Sequence, residues 1–214
     1  MDDFIRQLRD DHKEFDKGSL EGFFGHEPFD LFEKWYAEAF ETGQSEPNAC
    51  VLATVNTVNQ PSSRIIYLKE LIDNQFVFYT NYQSHKGKDL ARNPKASLLF
   101  FWPGLQRQIR IEGACEKVQE SVSDAYFQSR PRASQIGAWA SHQSDELDER
   151  TDLEMRFEMY ADKFTGNIPR PPHWGGYALV PTLIEFWQGR PSRLHDRIVY
   201  ELVDNHWKIY RKNP

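Results

Sequence analysis

"ACVLATVNTVNQPSSRIIYLKELIDNQFVFYTN", residues 49 to 81, decides the fold class. β-Branched and aromatic residues fill "ACVLATVNTV" (49 to 58), "SRIIYLKEL" (63 to 71) and "QFVFYTN" (75 to 81), and the pieces between them, "NQP" and "DN", are turn formers. Runs this short, joined by connections this short, predict an antiparallel meander, because parallel neighbours need a long crossover.

Downstream, "SHKGKDLARNP" reads as a short helix opened by Ser84 and closed by Asn93-Pro94, followed by the strand "ASLLFFW". In "RQIRIEGACEKV", Ile109 and Ile111 alternate with Gln108, Arg110 and Glu112, the pattern of a strand with one core face. Helical stretches near 119 to 129 and 145 to 164 frame "YFQSRPRASQIGAW", in which Arg130 and Arg132 are expected between a helix end and an extended segment. After the proline-rich loop "GNIPRPPHWGG" come three closing strands, "YALVP" to "LIEFWQG", "RIVYELVD" and "HWKIYR", with Asp204-Asn205 as the last tight turn. Upstream, "PFDLFEKWYAEAFETG" is a helix in which Asp30 caps, Leu31, Trp35 and Ala39 share a face, and Gly43 stops the chain. Residues 1 to 26 read as a flexible arm and 27 to 214 as one domain. About eight consecutive strands favour a closed or nearly closed antiparallel barrel, mainly β with peripheral helices.

Composition narrows the function. A net charge of -6 argues against coating nucleic acid, which needs many phosphates neutralised over a broad basic surface. No apolar run approaches the ~18 residues that span a bilayer, and the start "MDDFIRQLRDDHKEF" is charged, so no membrane association and a cytoplasmic location are expected. Cys50 and Cys115 stand alone in apolar or alternating stretches and read as buried, reduced thiols with no metal role. Neither GxGxxG nor GxxxxGK[ST] occurs, so a bound nucleotide-like anion must be held by side chains. Cations gather in four places within this acidic chain: Arg64 and Lys69; Lys86 and Lys88 at a helix start; Arg130 and Arg132; and "FWQGRPSRLHDR" (186 to 197) with Arg190, Arg193, His195 and Arg197. If that last segment is extended, Arg193, His195 and Arg197 share one side. Trp187 is either core or a wall for a flat ring.

"RIIYLK", "FYTNYQSHKGKDLARNP", "LLFFW", "RQIRIEG", "YFQSRPRASQIGAWASHQS", "HWGGY" and "IEFWQGRPSRLHDR" together resemble the motifs of the pyridoxine (pyridoxamine) 5′-phosphate oxidase family, in order, over about residues 28 to 214. The resemblance implies an FMN-binding split β-barrel, a homodimer with flavin at the subunit interface, and O2-dependent oxidation of phosphorylated B6 vitamers. By position it implies that Arg64, Ile65, Ile66, Tyr67, Leu68, Lys69, Tyr79, Thr80, His85, Lys86, Gln108, Gln143, Ser144, Trp187 and Arg197 contact FMN. Lys69, Tyr126, Arg130 and Ser134 would hold the substrate phosphate, with Arg193, Leu194 and His195 at its ring and Arg193 and His195 catalytic. The family commonly has Arg where this chain has His85, which implies a weaker or pH-dependent phosphate contact. A non-catalytic FMN or B6-phosphate binder and a nicotinamide-driven flavin reductase are the alternatives.

Overall fold

The computed structural model describes residues 14 to 22 and 25 to 214; most of the arm expected over residues 1 to 26 therefore lies outside the described residues. Helix α1 (Pro28–Glu41) leads into strands β1 (Ala49–Val55), β2 (Pro61–Tyr67), β3 (Glu70–Ile72) and β4 (Gln75–Asn81), then helix α2 (His85–Arg92). Strands β5 (Lys95–Trp102) and β6 (Arg107–Lys117) follow, then helices α3 (Glu120–Ser129), α4 (Arg132–Ala140) and α5 (Arg150–Lys163). The chain closes with β7 (Trp174–Gln188), β8 (Asp196–Val203) and β9 (His206–Arg211). The sheet runs β2-β1-β5-β6-β7-β4-β3, with β8 joining β7 and β9 joining β8.

The runs of residues 49 to 81 form antiparallel strands as expected, but as two hairpins instead of one continuous meander, because "SRIIYLKEL" is two strands. Leu68 N–H still bonds to Asn48 O at 2.9 Å, but Lys69 N–H turns to Val77 O at 2.9 Å, so the chain exchanges β1 for β4 as its partner at this point. β1 pairs with β2, and β3 with β4, antiparallel. Both residues of the Asp73-Asn74 turn and of the Asp204-Asn205 turn have φ between 48° and 62°, the left-handed pair that a tight hairpin requires.

Three local expectations are corrected. Helix α1 starts at Pro28, and Asp30 lies in its first turn rather than at the cap, because the proline ring already fixes a helical φ at the helix start. The segment after Arg130 is helix α4, not extended: Pro131 opens it, its carbonyl accepting from Ser134 and Gln135 N–H, and Gln135, Ile136 and Ala140 bury one side. Residues 191 to 193 form a 3₁₀ turn with Ser192 and Arg193 at φ 57° and 60°, so Arg193 does not share an extended strand with His195 and Arg197.

The chain folds as two compact units, each assembled from separated segments. One holds the described residues up to 47, with 99 to 111 and 183 to 214; the other holds 48 to 98 and 112 to 182. In the first, Trp35 of α1 packs edge-on to Phe186 at 5.3 Å, and Phe32 to Phe100 at 5.6 Å. Leu20 is buried there too, and its N–H donates to Asp196 Oδ2 at 3.0 Å, tying residues 14 to 22 into that unit. In the second, Phe127, Ile136, Ile168 and Trp174 form a buried cluster under α5. Cys50 and Cys115 are free and buried, and desolvation pushes both thiols up to about 12, where they stay protonated and inert. Among the described residues no helix is long and apolar enough to cross a membrane.

Candidate active site

The second unit gathers the first cation cluster around the start of α2. Ser84 caps that helix, its Oγ accepting from Gly87 N–H at 3.3 Å. Gly87 allows the close turn: a Cβ there would lie 2.3 Å from Tyr82 O. The cap aims Lys86 inward, its Nζ donating to Gln143 Oε1 at 3.0 Å and to Thr80 and Ser84 Oγ at 3.3 Å. Arg64 Nη1 donates to Thr54 Oγ1 at 2.8 Å and Leu52 O at 3.2 Å, and Nη2 to Ser62 Oγ at 2.8 Å; Thr54 in turn donates to Asp89 Oδ2. Among the described residues, no carboxylate reaches Lys86 within ion-pair distance. Burial, and then the neighbouring Arg64 charge, pull its ammonium down to about 8. Two desolvated cations side by side, Lys86 held by neutral hydrogen-bonding groups and Arg64 with the Asp89 carboxylate acting on its charge from behind Thr54, make a socket for an anion.

That shift has a definite sign. Lys86 is depressed in the folded chain relative to its ordinary 10.5, so burying its charge costs stability at neutral pH, and the cost is relieved as pH rises from about 8 towards 10.5. Lys86→Met is therefore expected to raise the melting temperature of the ligand-free protein at neutral pH, by a margin that shrinks as pH climbs through that window. The same variant loses about 1.5–3 kcal/mol of affinity for a phosphate ligand. Thermal scans across pH, paired with phosphate-ligand titration, check both.

The same unit also holds a ladder of aromatic rings. Tyr79 stacks on Tyr126 at 3.8 Å and 9°, and on Trp174 at 5.5 Å and 9°. Tyr79 O–H donates to Glu70 Oε2 at 2.6 Å. Arg130, at the end of α3, lays its guanidinium over Trp174 at 4.6 Å and over Phe127 at 5.7 Å. Its Nη1 is buried without a hydrogen-bond partner, and desolvation pulls the guanidinium below its ordinary value. Ser134 is half-buried on α4. Lys69 is exposed, with Nζ 5.2 Å from the Tyr67 ring, and Leu68 is buried. Ile65 and Tyr67 on β2 are 61% and 41% exposed, whereas Ile66 is half-buried. His85 and Ser144 are exposed, the latter at φ 75°.

In the first unit, Phe15 packs edge-on to both Trp187 (5.7 Å) and His195 (5.3 Å), which lie 4.7 Å apart. His195 Nδ1 accepts from Arg190 N–H at 3.1 Å, so the ring proton sits on Nε2 and the imidazole presents a donor. Burial and the Arg193 charge lower its pKa, which favours the neutral ring. Arg193 and Leu194 are exposed, and the Arg193 side chain makes no hydrogen bond or ion pair among the described residues. Its left-handed φ, shared with Ser192, is the kind of backbone strain that persists where function requires it. Gln108 is half-buried on β6. Arg197 is clamped by Glu185, with Nε at 2.9 Å and Nη2 at 2.8 Å from Oε1.

Each unit thus brings part of the expected set together. The second unites Arg64, Thr80, Lys86 and Gln143, and separately Tyr79, Tyr126 and Arg130; the first unites Trp187 with His195. Other candidate cations turn to structural tasks. Arg132 donates to Phe164 O and to Gly166 O, Lys88 approaches Asp145 at 3.8 Å, and Arg190 donates to Gly18 O while facing Asp196. Sequence reading missed Glu70, Phe15, Trp174 and Glu185. For Glu185 a signal existed, a single acid inside the apolar run "LIEFW". For Trp174 the signal was its place in the motif "HWGGY"; for Glu70 and Phe15 none existed.

Comparison with known proteins places these residues in context. Residues 36 to 163 match the family model described as pyridoxamine 5′-phosphate oxidase, and residues 174 to 214 match that of the pyridoxine 5′-phosphate oxidase C-terminal dimerisation region. The pyridoxine/pyridoxamine 5′-phosphate oxidase of Cupriavidus necator is 53% identical over 212 residues, 98% of this chain and all of the relative. That of Burkholderia lata is 50% identical over 204 residues, 94% of this chain and 95% of the relative. Among solved structures, PhzG from Burkholderia lata 383, in complex with tetrahydrophenazine-1-carboxylic acid, has a TM-score of 0.85 at 34% identity over 92% of this chain and all of its own. A pyridoxamine 5′-phosphate oxidase-related, FMN binding protein from Nostoc punctiforme shares the fold, with a TM-score of 0.71 at 17% identity over 89% of this chain and all of its own. The fold is that of the antiparallel split barrel.

Proposed function

Since this chain belongs to the pyridoxine/pyridoxamine 5′-phosphate oxidase family, we propose that it oxidises pyridoxine 5′-phosphate and pyridoxamine 5′-phosphate to pyridoxal 5′-phosphate, with FMN as cofactor. O2 takes the electrons and leaves as hydrogen peroxide; with the amine substrate, water adds to the oxidised carbon and ammonia leaves. The observation that carries the reading is Arg130, a half-buried arginine whose Nη1 is buried and orphaned, fixed by Trp174 beside the Tyr126 ring. A buried donor without a partner costs about 1–3 kcal/mol, a cost that a ligand phosphate repays.

The Arg64 and Lys86 socket has the donor set for the FMN phosphate, with Thr80, Gln143, Ser144 and the exposed His85 completing it and residues 65 to 69 lining the strand beside it. Gln108, Trp187 and Arg197 would hold its ring, with Arg197 as the cation beside it. When bound, FMN supplies the hydride acceptor. The chain's own residues hold and orient the substrate. Arg130, with Lys69, Tyr126 and Ser134, grips the substrate phosphate, so affinity at the tail becomes alignment at the ring. Arg193 and Leu194 cover that ring and His195 donates from Nε2; with Nδ1 occupied by Arg190 N–H, its role is orientation rather than proton removal. The exposed apolar Ile65 and Tyr67, together with a C-terminal segment matching a dimerisation region, support a homodimer with flavin at the interface.

PhzG raises a second reading, since it binds tetrahydrophenazine-1-carboxylic acid, but identity to it is 34% against 50% to the oxidase of the same species. One assay decides. The purified yellow protein is mixed under air with pyridoxine 5′-phosphate, pyridoxamine 5′-phosphate or a reduced nicotinamide. Pyridoxal phosphate and peroxide from the first two are expected. Binding without turnover would make the chain a carrier, and turnover with the nicotinamide alone would make it a flavin reductase.

A further inference from the structure

Glu185 is 1% exposed, inside the most apolar stretch of β7. An isolated buried carboxylate is costly, so its partners must explain its presence. Arg197 faces it in a fork: Nε and Nη2 reach Oε1 at 2.9 and 2.8 Å, and Nη2 reaches Oε2 at 2.9 Å. Arg110 approaches at 3.5 Å and Lys212 at 3.8 Å. The remaining arm of the Arg197 guanidinium is also held, Nη1 donating to Asn213 O at 2.9 Å, while Arg197 O accepts from Lys212 N–H at 3.0 Å.

Sheet register gives this clamp a direction. On the β7–β8 pair, Trp187 lies opposite Arg197, and Glu185 lies two residues along the same strand. Directly paired residues and residues two apart share a face, so Glu185, Trp187 and Arg197 all stand on one side of the pair. Left alone, an arginine on that face samples many rotamers. Held at Nε, Nη2 and Nη1, it keeps one plane beside the indole.

We propose that Glu185 is a positioning residue: with the Asn213 carbonyl it locks the Arg197 guanidinium beside Trp187, so that a preformed cation meets the flavin ring. This inference rests on the reading of Arg197 and Trp187 as ring contacts. Glu185 acts through Arg197 and itself touches neither cofactor nor substrate. A carboxylate that serves only the core would stabilise the fold and leave flavin recognition unaltered.

The test is flavin titration by fluorescence quenching on Glu185→Gln, Arg197→Lys and the double variant, each with FMN and with riboflavin, alongside melting temperatures. Glu185→Gln is expected to weaken both flavins by a similar factor, about tenfold to a hundredfold, because the loss is at the ring and not at the phosphate. The double variant should bind no worse than Arg197→Lys alone, since the second change removes what the first has already released. Unchanged riboflavin affinity in Glu185→Gln, or additive losses in the double variant, would overturn the proposal. If the Gln variant does not fold, Glu185→Asp retains the charge on a shorter arm and should show a smaller loss for both flavins; no loss overturns the proposal. Arg197→Lys that binds both flavins normally would instead remove Arg197 from the ring, a separate failure of the functional reading.

Discussion

Arg130→Ala should weaken binding of the phosphorylated substrate by about 2–5 kcal/mol, seen as a KM raised by more than tenfold with flavin content preserved. The size follows from burial. The guanidinium lies over Trp174 and Phe127, and one nitrogen has no protein partner, so an arriving phosphate gains a charge-assisted bond in a poorly solvated place. The fold should hardly notice. The Arg130 backbone N–H still donates to Phe127 O at 3.2 Å, and losing the cation–π contacts is offset by relief of the desolvation that already depresses the guanidinium. Arg130→Lys keeps a charge but not the planar fork and should fall between the two. Steady-state kinetics with pyridoxamine 5′-phosphate, beside a thermal scan, give the answer. A KM near the unaltered value would end the phosphate role.

Arg193→Leu should act on the other kinetic constant. Arg193 is exposed and unpaired among the described residues and sits at φ 60°, so the protein keeps it there without using it to stabilise the fold. Leucine in its place should leave flavin content and melting temperature close to unchanged and lower kcat by about 10²-fold or more, the loss expected when a fixed charge that steers the reacting group disappears. A fall in kcat/KM carried by KM alone would make Arg193 a binding residue rather than a catalytic one. Unchanged turnover would remove it from the mechanism. His195 differs in kind, because its Nδ1 is already occupied by the Arg190 N–H and its pKa is lowered.

Several features were legible without coordinates because their causes are local. Ser84 caps α2 through its own hydroxyl, Asp73-Asn74 and Asp204-Asn205 adopt left-handed φ because Asp and Asn tolerate it, and alternation in β6 buries Ile109 and Ile111. The long motifs carried the family. Where local reading failed, it failed at boundaries and turns: Asp30 as a cap, "RASQIGAW" as extended, and residues 193 to 197 as one strand.

Electrostatic roles were a different matter. In the sequence, Arg130 and Arg132 are equivalent cations two residues apart, yet one keeps an orphaned nitrogen over Trp174 while the other spends its donors on Phe164 and Gly166 carbonyls. Arg190 and Arg197 likewise diverge, one towards the Gly18 carbonyl and the other into the Glu185 clamp. Backbone preference is set by a residue and its immediate neighbours, so the succession of strands, the two Asp-Asn turns and the Ser84 cap were determined by the sequence alone. What a charge meets depends on groups brought near it through space and on how much water they exclude, and only the tertiary structure decided which cations are spent on the fold and which are left for a ligand.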